Sequence, residues 1–84
     1  MVKKQNDRFS RLVGEHLKRR RLELGMTQAD FAETIGLSEK GVGRIERGER
    51  SPTCKTLTYI LTKAEISIDR LLLDVHNDMP SDDY

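Results

Sequence analysis

Between Thr27 and Gly48 the chain twice sets out a short amphipathic segment and twice stops it with glycine. Thr27 offers a capping hydroxyl and Asp30 follows three residues later, the spacing of a capping box. Ser38 is placed to cap the second segment, which runs from Glu39 to Arg47. Phe31, Ala32 and Ile35 share the inward face of the first segment, and Val42 and Ile45 that of the second. Gly36 and Gly48 end the two segments, because glycine takes positive φ without a Cβ clash. Helices this short are not stable alone in water. They must therefore cross, with small Ala32 at the closest approach and Gly36 making the tight turn between them. Counted from Gln28, residues Ala32, Gly36, Val42 and Ile45 fall at the fifth, ninth, fifteenth and eighteenth positions, the offsets of a helix-turn-helix.

The flanks continue the helical pattern. Phe9, Val13, Leu17 and Leu24 fall on one stripe of a first helix from about Phe9 to Leu24, stopped by Gly25. Arg20 lies on the same stripe and is expected to snorkel at the core edge. Gly48 to Pro52 is a turn, with Pro52 near the start of a fourth helix carrying Leu57, Ile60, Leu61 and Ala64 on one face. Ser67 caps a fifth helix, with Ile66 and Leu71 spaced as a hydrophobic staple. The expected fold class is all-α, with five helices. The expected organisation is a flexible basic N-terminus over 1–8, one domain over 9–75 and a disordered acidic tail over 76–84.

A chain of 84 residues has room for one core. Its single cysteine, Cys54, cannot form an internal disulfide and reads as a small buried residue. His16 and His76 are scattered, so neither a metal nor any other cofactor is expected. No nucleophile and base are paired and no phosphate-cradling loop is present, which argues against an enzyme. No apolar run approaches membrane length and no leader opens the chain, so a cytoplasmic location away from membranes is expected. The net charge of +1 hides a division: residues 1–63 carry +6 and residues 64–84 carry −5. A basic body suits a polyanionic partner, although a charge-rich solvated surface would read the same way.

Three stretches carry a resemblance. Val13-Gly14-Glu15-His16-Leu17, Arg21-Leu22-Glu23-Leu24-Gly25-Met26-Thr27-Gln28 and Arg44-Ile45-Glu46-Arg47-Gly48-Glu49-Arg50-Ser51-Pro52 resemble the Cro/C1-type (xenobiotic-response-element) helix-turn-helix family. The resemblance spans about Val13 to Leu72 and implies a five-helix lambda-repressor-like domain with helices two and three as the helix-turn-helix. It implies a sequence-specific transcriptional regulator, expected to repress, that binds a palindromic operator in double-stranded DNA as a homodimer.

By position, Ser38, Glu39, Lys40 and Arg44 then face the bases. Arg44 suits a bidentate contact to guanine, and Lys40 suits either guanine or phosphate. Glu39 accepts from cytosine, orients Lys40 or Arg44, or serves simply as a first-turn carboxylate favoured by the helix dipole. Gln28, Arg47, Arg50 and Lys55 are the implied phosphate contacts, and Arg21 and Glu46 the implied ion pair, with Arg20 a competing partner. In helix five, Ile68, Leu71, Leu72 and Val75 (with Leu73) exceed one inner stripe and are expected to supply a dimer interface. Gly41 and Gly43 depart from the family in helix three; on exposed positions they read as drift or as room for close approach to DNA. The alternative function is an antitoxin-like or partner-controlled interaction module, with the acidic stretch Asp74 to Asp83 meeting a basic protein.

Overall fold

A computed structural model describes residues 7–80, which form five helices: α1 (Arg8–Glu23), α2 (Gln28–Ile35), α3 (Glu39–Glu46), α4 (Cys54–Thr62) and α5 (Ile68–Asp78). Each begins at a side-chain cap. Asp7, Thr27, Ser38, Thr53 and Ser67 each accept a hydrogen bond from the backbone N–H three residues on, satisfying an amide the helix itself leaves unpaired. The Thr27–Asp30 capping box closes in both directions. At the far ends, α1 and α3 finish in the same way. Met26 N–H reaches Arg21 O (3.2 Å) and Glu49 N–H reaches Arg44 O (2.9 Å), each across a glycine of positive φ.

α1 packs on α3 and α5, α2 on α3 and α4, and α4 on α5. Leu17, Phe31, Ile35, Val42, Ile60, Leu71 and Val75 are the large residues wholly enclosed where these faces meet. The expected staple is in place, with Ile66 and Leu71 both buried at the start of α5. Gly14 fixes how close α1 and α3 come. A Cβ there would lie 2.2 Å from Ile45 O and 2.6 Å from Glu46 O, so only glycine lets α3 rest this closely on α1.

Several expectations need correction. Phe9, Leu24 and Leu61 stand 45–49% exposed instead of lining the core. Of the α1 stripe Val13 and Leu17 are the buried members, and α4 turns Thr56 and Ile60 inward. Cys54 is exposed: it is the first residue of α4, whose inward face is made by Thr56 and Ile60. Gly41 and Gly43 are buried, covered by Ser38 and Leu37 in one case and by Arg47 in the other. α1 starts at Arg8, and α5 runs through His76 to Asp78, beyond the end expected at Val75. Polar contacts with α1 hold the extension: Arg20 Nη2 donates to Asp74 Oδ2 at 2.7 Å, and His16 Nε2 lies 2.8 Å from Asp78 Oδ2. The remainder of the expected tail, 81–84, and the leading 1–6 lie outside the described residues.

Candidate nucleic-acid interface

The site is built around α3, whose two faces are sharply different. Val42 and Ile45 are 2% and 4% exposed and hold the helix to α1 and α2. On the opposite side Glu39, Lys40 and Arg44 are exposed. Ser38 is also exposed, but its hydroxyl accepts from Gly41 N–H at 3.0 Å, so its first task is to cap the helix.

A buried polar clamp ties this helix to its neighbours. Arg21 donates to Glu46 through Nε (2.6 Å, to Oε2) and Nη2 (3.1 Å, to Oε1), and its Nη1 donates to Met26 O at 2.9 Å. Gln28 Nε2 donates to the same Glu46 Oε1 at 2.9 Å. One carboxylate on α3 is thereby tied to α1 and to the first residue of α2, while the same arginine also holds the loop before α2. The expected pair is Arg21–Glu46, and the competitor Arg20 is taken by Asp74 instead. Gln28, placed by resemblance on a phosphate, is half-buried with its amide nitrogen engaged on Glu46.

Basic side chains border α3. Arg44, Glu49, Arg50 and Ser51 line an open groove, and Lys55 stands exposed in the first turn of α4. Ser51 is anchored from below by a 3.0 Å hydroxyl contact with Ser10 of α1. The turn itself is pinned at Gly48, where a Cβ would come within 2.8 Å of Arg11 Cα. Arg47 does not project freely: its Nε and Nη2 donate to Glu49 Oε2 and Oε1 at 2.9 and 3.3 Å. That bond, before the attraction between the charges, raises the Arg47 pKa and holds the Glu49 carboxyl below its ordinary range.

Of the residues expected at a dimer interface, Leu71 and Val75 are fully enclosed in the core and are unable to meet a partner. Ile68 is half-buried, and Leu72 and Leu73 are 40% and 56% exposed. The acidic stretch is partly spent as well, with Asp74 and Asp78 on α1 partners. Sequence reasoning missed Gly14 and Glu49. A lone glycine inside a helical pattern was the available signal for the first, and a carboxylate among three arginines for the second.

Five capped helices presenting a short, clamped third helix define a helix-turn-helix domain. Residues 17–71 match a family model described as helix-turn-helix. An SPbeta prophage-derived HTH-type transcriptional regulator (YonR) of Bacillus subtilis is 35% identical over 77% of this chain and 60% of its own length. The cryptic phage CTXphi transcriptional repressor RstR of Vibrio cholerae is 39% identical over 70% of this chain and 53% of its own. The wild-type restriction–modification controller protein C.Esp1396I superposes with a TM-score of 0.70 at 32% identity, covering 82% of this chain and 90% of that one. The chain belongs to the Cro/C1-type (xenobiotic-response-element) family of helix-turn-helix regulators. It spans somewhat over half the length of these two curated relatives. Among the described residues no helix is long and apolar enough to cross a membrane.

Proposed function

We propose that this protein binds a near-palindromic operator in double-stranded DNA as a homodimer and represses transcription, reading the major groove with α3. The observation that carries the reading is the two-faced α3. Its apolar side is buried, its orientation is locked through Glu46, and Lys40 and Arg44 stand outward beside Arg50 and Lys55. Arg44 reads a guanine edge by a bidentate fork, Lys40 takes guanine or phosphate, and Glu39 either accepts from cytosine or steadies its arginine and lysine neighbours. Gln28, Arg47, Arg50 and Lys55 grip the backbone, Gln28 through the amide hydrogen Glu46 leaves available. Repression is the sense carried by the name of the Vibrio relative.

A dimer would present two α3 helices to half-sites about one helical turn (~34–36 Å) apart. Ile68, Leu72 and Leu73 on the outer side of α5 are the apolar surface for that contact. Selection from random duplexes followed by a salt titration tests the reading. Arg44→Ala is expected to relax preference at one base pair per half-site. Lys55→Ala is expected to weaken all sequences evenly and lower the salt slope by about one per subunit. Uniform losses in both variants would overturn the division between reading and gripping. No duplex preference at all would overturn the function.

A further inference from the structure

The Arg47–Glu49 pair sits where a DNA backbone would have to dock, and it places an anion there. The carboxylate meets the guanidinium edge-on, two oxygens to Nε and Nη2 at 2.9 and 3.3 Å. Two phosphate oxygens engage an arginine in the same fork geometry. Glu49 is not a stray loop residue. Its N–H is bonded to Arg44 O at 2.9 Å, and it follows Gly48, which is wedged against Arg11. Gly43 makes the arrangement possible from the other side, since a Cβ there would lie 3.0 Å from Arg47 Nη1. The guanidinium therefore lies down across α3 toward Glu49. Glu49 also lines the groove it shares with Arg44 and Arg50, so one carboxylate stands among three arginines of the candidate DNA face.

We propose that Glu49 is a built-in competitor of the DNA backbone: it occupies the Arg47 fork, so that Arg47 engages phosphate only on duplexes whose other contacts hold α3 in place. An exposed ion pair is weak and easily exchanged. Glu49 thus lowers affinity for unrelated DNA and leaves the operator complex nearly unchanged, which widens the gap between the two. This inference rests on the DNA-binding reading above.

The test is a salt titration of a labelled random-sequence duplex and the selected operator with four proteins: the unsubstituted chain, Glu49→Gln, Arg47→Met and the double variant. Glu49→Gln is expected to bind random duplex about two- to fivefold more tightly at moderate salt, with a smaller gain on the operator. Its random-duplex salt slope steepens by about 0.9 per subunit, because one more phosphate contact forms. With Arg47→Met already present, Glu49→Gln leaves the slope unchanged. All four proteins keep their melting temperature, since both side chains are exposed. Equal slope changes with and without Arg47 would mean general charge repulsion and overturn the proposal, as would no change. If the unsubstituted chain binds no duplex even at low salt, the DNA-binding reading falls and this inference with it; if it binds and the variants match it, only the inference falls.

Discussion

Arg21 and Glu46, 25 residues apart in the chain, meet in a two-bonded fork that is almost sealed from water, with 7% and 4% of their side chains accessible. Each charge is compensated by the other, and Met26 O and Gln28 take up further donors and acceptors. A buried pair of this kind contributes little net stability, but breaking it strands a charge.

Arg21→Met alone is therefore expected to destabilise the fold by ~3–5 kcal/mol, whereas Arg21→Met with Glu46→Leu recovers most of that loss. Urea denaturation of the single and double variants measures both. If the double variant regains stability yet loses duplex preference, the pair's role is to orient α3.

The glycines of α1 and α3 predict opposite effects. Gly14→Ala drives a methyl group into the Ile45 and Glu46 carbonyls and is expected to cost at least ~1–3 kcal/mol, as overpacking does. Gly43→Ala meets only the far end of the Arg47 side chain, which a weak exposed ion pair lets shift, and gains helix propensity, for a stabilisation of up to ~1 kcal/mol. Thermal melting ranks the two against the unsubstituted chain. A gain from Gly14→Ala would contradict the packing of α1 on α3.

The last turn of α5 depends on Asp74 and Asp78 meeting Arg20 and His16. Asp74→Asn with Asp78→Asn is expected to speed amide hydrogen exchange over His76–Met79 and leave Phe31, Ile35 and Val42 protected. Both carboxylates are partly exposed, so global stability falls little.

Asp69 predicts an acid dependence. The Ser67 hydroxyl donates to Asp69 Oδ1 at 2.5 Å and, with the Arg70 N–H, holds its carboxyl below the ordinary value. A depressed native pKa means the stabilisation is complete above the unfolded-state value and is lost as pH falls through the native one. Carboxyl NMR titration is expected to place Asp69 below a free aspartate, and Asp69→Asn to flatten the acid limb of the stability curve. A value at or above that of free aspartate would refute it.

Much of the architecture was legible before any coordinates, and for local reasons. Thr27, Ser38 and Ser67 cap because their hydroxyls reach an amide three residues away, and Gly25, Gly36 and Gly48 take positive φ where the pattern stops. Periodicity placed Val42 and Ile45 inward, which left Lys40 and Arg44 to face out. Exposure was read less well where a stripe is wider than its neighbour. Phe9, Leu24 and Leu61 fit the helical period yet stand nearly half exposed.

The sequence by itself determined the helices, their caps and the turn between α2 and α3, because these depend on residues within one or two turns of each other. Only the tertiary structure decided that Arg21 goes to Glu46 and Arg20 to Asp74, and that Leu71 and Val75 serve the core. Those outcomes depend on how closely α1 approaches α3 and α5. The approach to α3 depends on a missing Cβ at Gly14, whose neighbours lie more than thirty residues away in the chain.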